Sequence, residues 1–207
     1  MLVVGFPAGA LRANCYLLAP GPDTACVVVD PGEDSAARVA EALAEHRLTP
    51  AAVLATHGHS DHVGGAAALT AAHDVPMWIH PADRGLHDGD QPADVRDLTG
   101  APLELAGLAI DVDLVPGHTD GSVVFRVTTP EGGRLALTGD TLFAGSVGRG
   151  DQRRLGESLR DALLPLPDDT VVLPGHGPAT TIGRERAGNP FLSGARSVVP
   201  VRRWGEK

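Results

Sequence analysis

The hydrophobic positions of this chain follow two patterns. The first, short apolar runs or an alternation with a period of two residues, is typical of short β-strands. Compact apolar runs bounded by Pro, Gly or Asp predict most of these strands. The alternation of Ile110, Val112 and Leu114 with two aspartates predicts a strand buried on one face only. The first two runs are separated by the Pro- and Gly-rich residues 19–23, which predicts a hairpin. The predicted strands are residues 15–18, 25–29, 53–56, 77–80, 110–114, 122–127, 135–138 and 170–173.

The second period, near 3.6 residues, predicts helices between these strands. A helix is expected over residues 35–46, capped by Asp34 or Ser35, and Pro50 is expected to stop any continuation. Further helices are predicted over residues 66–73 and along the stripe Leu155, Leu159, Ala162 and Leu163, and a short helix is predicted within the polar residues 81–100. This order predicts two sheets with helices outside them, an α/β layered sandwich forming one domain over residues 1–207.

Composition and charge exclude several classes of protein. The chain has 207 residues, 43% apolar and 21% charged, as expected for a soluble globular domain. It has no run of about 20 apolar residues and no basic cluster before its apolar N-terminus, so we expect a cytoplasmic protein. The formal net charge is −9 and the basic residues are scattered, so neither nucleic acid nor a membrane is an expected partner. Cys15 and Cys26 are expected to pack in the core.

Three of the nine histidines fall within six residues, and this cluster is the first candidate for chemistry. His57, His59 and His62 follow the predicted strand 53–56, with Asp61 among them. In an extended segment, side chains two positions apart point the same way, so Asp61 is expected beside His57 and His59. His62 is expected to turn in as the next helix begins. Imidazoles with a carboxylate are the ligands that zinc and similar divalent metals prefer.

Four metal-binding side chains in six residues exceed what one open catalytic ion takes, so a second ion is inferred. Three more candidates, His118, Asp140 and His176, each lie beside glycine where a predicted strand meets a loop. Taken alone, the histidines would be loop residues and Asp140 would cap a helix starting at Thr141. Together with the cluster they are enough for two ions sharing a carboxylate, with zinc expected first and iron or manganese as alternatives. The remaining histidines are interpreted as surface or core residues: His46, His73, His80 and His87.

The motif T-H-x-H-x-D-H-x-G-G, at residues 56–65, resembles the hallmark of the metallo-β-lactamase superfamily. Further motifs of that superfamily are matched in order along nearly the whole chain: N-C-Y-L-L at 14–18, D-P-G at 30–32, P-G-H-T at 116–119, G-D-T-L-F at 139–143 and L-P-G-H-G at 173–177. Residues 139–150, 180–183 and 189–192 are similar to the short single-domain relatives of glyoxalase II, the hydroxyacylglutathione hydrolases.

The resemblance implies a four-layer αββα sandwich and a role for each candidate residue. One ion would be held by His57, His59 and His118, the other by Asp61, His62 and His176, with Asp140 bridging both. From behind the ligands, Asp30 would orient them. Asp61 would also orient the attacking hydroxide, and Arg149 matches a basic position near the glutathione part of the substrate. Ser122 stands where glyoxalase II often has a second histidine.

The implied activity is metal-dependent hydrolysis of S-lactoylglutathione or a related 2-hydroxyacyl thioester. Two alternatives on the same scaffold stay open at this point. One is a persulfide dioxygenase-like oxidoreductase, which would use one iron held by two histidines and one aspartate. The other is a lactonase, which shares most of the ligands.

Overall fold

The computed structural model describes residues 1–192, and its first sheet is mixed and six-stranded. The strands follow one another in order across the sheet, with β1 to β3 antiparallel and β3 to β6 parallel. The predicted hairpin is confirmed, because Tyr16 pairs with Val29 and Leu18 with Val27. The strands are β1 (Leu2–Ala8), β2 (Ala13–Ala19), β3 (Ala25–Val29), β4 (Thr49–Leu54), β5 (Met77–Ile79) and β6 (Val95–Asp97).

The second sheet is also six-stranded and packs against the first. Its order along the sheet is β14, β13, β10, β9, β8, β7, and only the β10–β13 pair is parallel. A separate two-stranded hairpin follows β10. The strands are β7 (Leu103–Leu105), β8 (Leu108–Leu114), β9 (Val123–Thr128), β10 (Arg134–Gly139), the hairpin β11 (Leu142–Phe143) and β12 (Ser146–Val147), and then β13 (Val171–Pro174) and β14 (Thr180–Thr181).

Helices cover the outer face of each sheet. One apolar cluster joins α1 and α3 to the first sheet, a second lies between the sheets, and a third joins α4, α5 and the π-helical segment to the second sheet. The αββα sandwich is therefore confirmed. The helices are α1 (Ala36–His46), α2 (Ser60–Val63), α3 (Ala66–His73), α4 (Gln152–Ser158) and α5 (Ile182–Gly188), with a 3-10 turn at Pro81–Asp83 and a π-helical segment at Leu159–Leu163. Within residues 1–192, none of these helices is long and apolar enough to cross a membrane.

Both cysteines lie in the core, as their expected packing role requires. Cys15 and Cys26 are fully buried in the cluster between the first sheet and its helices. Burial raises the pKa of the Cys26 thiol to about 11 and that of Cys15 still further, so both thiols stay protonated.

Three features differ from the sequence expectation or were not predicted. β1 pairs with β2 along its whole length, although Gly5 and Pro7 interrupt its pattern. The first helix ends at His46, and Pro50 lies inside β4. The parallel pairing of β4 with β3 shifts register at this point, so the N–H that proline lacks is not needed there. The predicted helical stripe at 155–163 is not one regular helix, because α4 passes into the π-helical segment. The predicted domain, residues 1–207, extends beyond the described residues.

Candidate metal centre

All seven candidate ligands meet at one edge of the sandwich, where strands of both sheets end. His57 and His59 lie in the segment between β4 and α2, called here the histidine loop (residues 55–59). Asp61 and His62 lie in α2. From the second sheet come the His118 loop (residues 115–122, between β8 and β9), Asp140 directly after β10, and His176 two residues after the end of β13.

Three imidazole nitrogens face one another in what we call the three-histidine group, His57, His59 and His118. His57 Nε2 lies 3.1 Å from His59 Nδ1 and 3.2 Å from His118 Nε2, and the last two atoms are 3.0 Å apart. Nitrogens at about 2.0–2.1 Å from a tetrahedral zinc ion lie roughly 3.3 Å apart. The spacing therefore fits one divalent ion held by three imidazoles.

The second set of ligands, called the Asp61 group, consists of Asp61, His62 and His176. Asp61 Oδ2 lies 3.2 Å from His176 Nε2 and 3.7 Å from His62 Nε2. An extended path would place Asp61 beside His57 and His59, and that expectation is wrong because α2 already begins at Ser60. The helical turn carries Asp61 to the side of His62 and His176 instead.

Asp140 lies between the two groups. Its Oδ1 is 3.3 Å from His62 Nε2, and its Oδ2 is 3.7 Å from both His118 Nε2 and His176 Nε2. The alternative interpretation as a helix cap is wrong, since β11 and not a helix follows at Leu142. One carboxylate thus faces ligands of both groups.

Two buried atoms at this centre have no hydrogen-bond partner within the described part of the chain. They are His62 Nε2 and Asp140 Oδ1. Leaving such atoms unpaired costs about 1–3 kcal/mol each, and a buried group of this kind calls for a specific explanation. Together with the facing imidazoles, they make a donor set of nitrogen and carboxylate oxygen that fits divalent metal ions.

Asp30 contacts His62 from behind, as the resemblance implied for it. The carboxylate is 3% exposed, and its Oδ2 lies 2.9 Å from His62 Nδ1. Thr56 donates to both carboxylate oxygens, through its hydroxyl at 2.6 Å and its N–H at 2.7 Å. If His62 Nδ1 carries the ring proton toward Asp30, Nε2 is left with its lone pair facing Asp61 and Asp140.

The resemblance implied that Arg149 lies near the substrate, but this residue contacts the centre through its backbone carbonyl oxygen. The Arg149 carbonyl oxygen lies 2.8 Å from His118 Nδ1 and can accept its proton, which leaves His118 Nε2 free for a ligand bond. The Arg149 side chain itself is exposed.

The pKa shifts divide the histidines into two kinds. Burial and the neighbouring imidazoles lower the pKa of His57 and His59, so both rings are neutral. Burial also acts to lower the pKa of His62, but Asp30 and Asp140 outweigh it and raise this pKa to about 10. The hydrogen bond between Asp61 and His176 lowers the pKa of Asp61 and raises that of His176. Negative charge is therefore concentrated where a cation can replace the proton on His62.

The His176 side of the centre is held by a residue whose role the sequence did not reveal. Asn14 Nδ2 donates to the carbonyl oxygens of Pro174 and Gly177, both at 2.9 Å, and its N–H donates to Gly175 O at 2.7 Å. Its motif on β2 was visible, but its partners lie about 160 residues further along the chain. A second such residue, Asp83, lies in the polar segment where no spacing pattern marks it.

The remaining histidines stay apart from the centre. None of them belongs to a group of candidate ligands among residues 1–192, and His80 instead accepts a hydrogen bond from Ala82 N–H at the start of the 3-10 turn. Their interpretation as surface or core residues agrees with these positions: His46, His73, His80 and His87.

An αββα sandwich with paired histidine and aspartate groups at the strand ends defines a metallo-hydrolase type of protein. A sequence profile of the Metallo-beta-lactamase superfamily matches residues 8–176, and the chain belongs to this superfamily.

Relatives of known sequence agree with this assignment. An uncharacterized protein of Mycobacterium tuberculosis is 44% identical, over 94% of this chain and 99% of that protein. The probable metallo-hydrolase YqgX of Bacillus subtilis is 33% identical, over 91% of this chain and 96% of that protein. The hydroxyacylglutathione hydrolase GloC of Haemophilus influenzae is 35% identical, over 90% of this chain and 96% of that protein.

Solved structures are similar over almost the whole chain. The B3 metallo-beta-lactamase BLEG-1 has a TM-score of 0.82 and 33% identity, covering 93% of this chain and 100% of that one. ETHE1 from Myxococcus xanthus has a TM-score of 0.80 and 28% identity, covering 94% and 85%. TTHA1623, in a di-iron-bound form, has a TM-score of 0.78 and 37% identity, covering 91% and 100%.

Asp30→Asn is expected to weaken metal binding about 10- to 100-fold, because its one amide oxygen cannot accept from the Thr56 N–H, the Thr56 hydroxyl and His62 Nδ1 together. Its N–H₂ group must face one side of this network, which disturbs the orientation of the His62 ring. The measurement is competition with a chelator of known zinc affinity. Asp34→Asn is the matched control: both aspartates have a left-handed backbone, φ 51° and 57°, but Asp34 is exposed. Equal affinity in the two variants would show that Asp30 does not support the ligands.

Proposed function

We propose that this protein is a dinuclear metal-dependent thioester hydrolase of the glyoxalase II type, acting on S-lactoylglutathione or a related 2-hydroxyacyl thioester. The observation that carries the proposal is the position of Asp140, whose carboxylate faces the three-histidine group and the Asp61 group together. The similarity to GloC, named a hydroxyacylglutathione hydrolase, supports the choice of substrate class. Zinc is the metal we expect at both positions, with iron or manganese as alternatives.

The proposed ligands are His57, His59 and His118 for one ion, Asp61, His62 and His176 for the other, and Asp140 for both. Divalent ions held in this way lower the pKa of a bound water from 15.7 to about 7 and polarise a carbonyl oxygen. In this proposal the ionised Asp61 carboxylate would accept the proton of the attacking water and hold that water toward the carbonyl. A strong acid for the leaving group is unnecessary, because a thiol has a pKa of about 8.5 and departs as a thiolate.

A groove of about 350 Å³ leads from the surface to His59 and His118. Its outer wall includes Leu86, Asp120 and Arg154, and Arg154 forms an ion pair with Asp120. We propose that the thioester enters along this groove, with the exposed Arg149 side chain contacting its thiol carrier. We propose that the partner is this small molecule and not a nucleic acid, in keeping with the scattered basic residues and the net charge of −9. We also propose that the protein acts in the cytoplasm.

A one-iron oxidoreductase of the persulfide dioxygenase type is the second candidate function. The similarity to the ETHE1 structure favours it, and the di-iron form of TTHA1623 shows that a similar scaffold holds iron.

The two functions are separated by metal content and by the need for oxygen. Protein purified without added metal is analysed for Zn, Fe and Mn, and then assayed anaerobically for thiol release from S-lactoylglutathione and aerobically for oxygen uptake with glutathione persulfide. We expect about two ions per chain and anaerobic thiol release, lost after chelation and restored by zinc. One iron per chain, with oxygen uptake and no thiol release, would replace the hydrolase with the oxidoreductase.

A further inference from the structure

A carboxylate outside the seven candidate ligands lies between the two loops that carry the three-histidine group. Asp83 ends the 3-10 turn, and it is only 1% exposed. Its Oδ2 accepts hydrogen bonds from the Gly58 N–H of the histidine loop, at 3.0 Å, and from the Thr119 hydroxyl of the His118 loop, at 2.6 Å. Its Oδ1 accepts from the Gly121 N–H at 2.8 Å. Asp83 therefore binds both loops at once.

Both loops reach Asp83 through glycine. A side chain at Gly58 would collide with the backbone oxygen of Asp83. A Cβ atom at Gly121 would lie 2.6 Å from Asp83 Oδ1 and 2.8 Å from His80 Nδ1. The glycines therefore allow both backbone N–H groups to approach Asp83, where the Cβ atom of any larger residue would collide with its backbone or its carboxylate.

The Thr119 hydroxyl is itself held in place by Ser122. The two hydroxyl oxygens are 2.7 Å apart, and Ser122 Oγ accepts from the Thr119 N–H at 3.1 Å. Because Thr119 directly follows His118, these contacts fix the backbone next to a candidate ligand. Ser122, which stands where glyoxalase II often has a histidine, thus connects to the ligands through Thr119.

The three-histidine group needs such a connection because its members come from different sheets. His57 and His59 follow a strand of the first sheet, and His118 follows a strand of the second. Their three nitrogens, 3.0–3.2 Å apart, repel one another through their lone pairs when no cation lies between them. No hydrogen bond of Asp83 within residues 1–192 reaches the Asp61 group.

We infer that Asp83 is a positioning residue for the three-histidine group, which holds the histidine loop and the His118 loop at the separation that one metal ion requires. The inference rests on the proposed metal sites. Zinc content and thioester cleavage of the unaltered protein test the proposed function. The role of Asp83 is tested separately, by comparing the zinc affinity of variants that each keep one group of ligands.

The test uses two backgrounds, each of which leaves one complete group. His176→Ala leaves the three-histidine group, and His59→Ala leaves the Asp61 group. Asp83→Asn is introduced into each, because the amide keeps the shape but turns an N–H₂ toward at least one of the donors. Zinc affinity is measured by chelator competition, and the folding of the metal-free proteins is followed by circular dichroism and thermal unfolding.

Asp83→Asn is expected to weaken zinc binding about 10- to 100-fold in the His176→Ala background. In the His59→Ala background the change should stay within about twofold, as for independent sites. An equal loss in both backgrounds would show general damage to the fold and overturn the inference. An unchanged affinity in the His176→Ala background would overturn it as well.

Two further variants complete the experiment. Thr119→Val removes one hydrogen-bond donor to Asp83 and leaves the Asp83 charge in place. It should lower zinc affinity about tenfold in the His176→Ala background. This variant keeps the inference testable if Asp83→Asn does not fold. Asp97→Asn is the matched control, because the substitution removes the same charge. The Asp97 carboxylate is exposed and pairs with Arg84. This substitution should leave zinc affinity unchanged in both backgrounds.

Discussion

Asp140→Ala is expected to reduce the metal content from about two ions per chain to about one and to lower thioester cleavage by about 10³-fold or more, equivalent to roughly 4 kcal/mol of transition-state stabilisation. The physical reason is that Asp140 is the one carboxylate among the described candidate ligands that faces both groups. Without it, His62 Nε2 also loses the carboxylate oxygen that lies 3.3 Å away. Metal analysis of the dialysed protein and initial rates at saturating substrate measure the two effects.

The control for this substitution is Asp169→Ala. Asp169 is exposed and forms an ion pair of 3.2 Å with the exposed Arg134, so metal content and rate should stay unchanged and stability should change by less than about 0.5 kcal/mol. Asp140→Asn keeps the shape of the side chain and should give an intermediate loss. If Asp140→Ala protein retained two ions and its activity, the carboxylate would not bridge, and the dinuclear proposal would fail with it.

Gly175→Ala is expected to damage both the fold and the metal centre, although it adds only a single methyl group. A Cβ atom here would collide with Asp140 Oδ1 and would lie 2.7 Å from His62 Cε1. Gly175 N–H also donates to Gly139 O at 2.8 Å, so the backbone cannot retreat without breaking the contact between the β10 and β13 ends. We expect a loss of about 1–3 kcal/mol in the free energy of unfolding and the loss of at least one metal ion.

The matched control is Gly156→Ala in α4. Nothing lies within 4 Å of a Cβ at Gly156, and the position is helical, so alanine should stabilise the protein by about 0.5–1 kcal/mol. Urea unfolding of the metal-free proteins separates the packing effect from the loss of metal. A Gly175→Ala protein with the stability and metal content of the unaltered chain would mean that the space beside Asp140 is not tightly filled.

The local part of the centre was predictable because its information is local. His57, His59, Asp61 and His62 lie within six residues, and the apolar run before them predicts the strand that positions them. The direction of Asp61 was not predictable from strand geometry, because the turn of α2 begins one residue before it. A difference of one residue in the start of a helix moves a side chain to another face.

Asp83 and Asn14 illustrate what sequence patterns do not contain. Asp83 is one of several aspartates in a polar segment, and its three donors lie 25 to 38 residues away in the chain. The contacts of Asn14 span about 160 residues. Such long-range hydrogen bonds leave no periodic pattern, since they depend on where two loops are brought by the packing of the sheets.

The sequence by itself determined the chemical identity of the centre: five imidazoles and two carboxylates, placed at strand ends by the alternation of apolar runs and glycine-rich turns. The tertiary structure decided how these side chains divide, because packing the two sheets brings His118 against His57 and His59, and Asp140 and His176 against His62. It also decided that Arg149 supports the centre through its backbone carbonyl and that Asp83 joins the two loops. The reason is that residue order fixes the kind of side chain and its local direction, whereas distances between remote segments are fixed only when the apolar faces of both sheets are buried against each other.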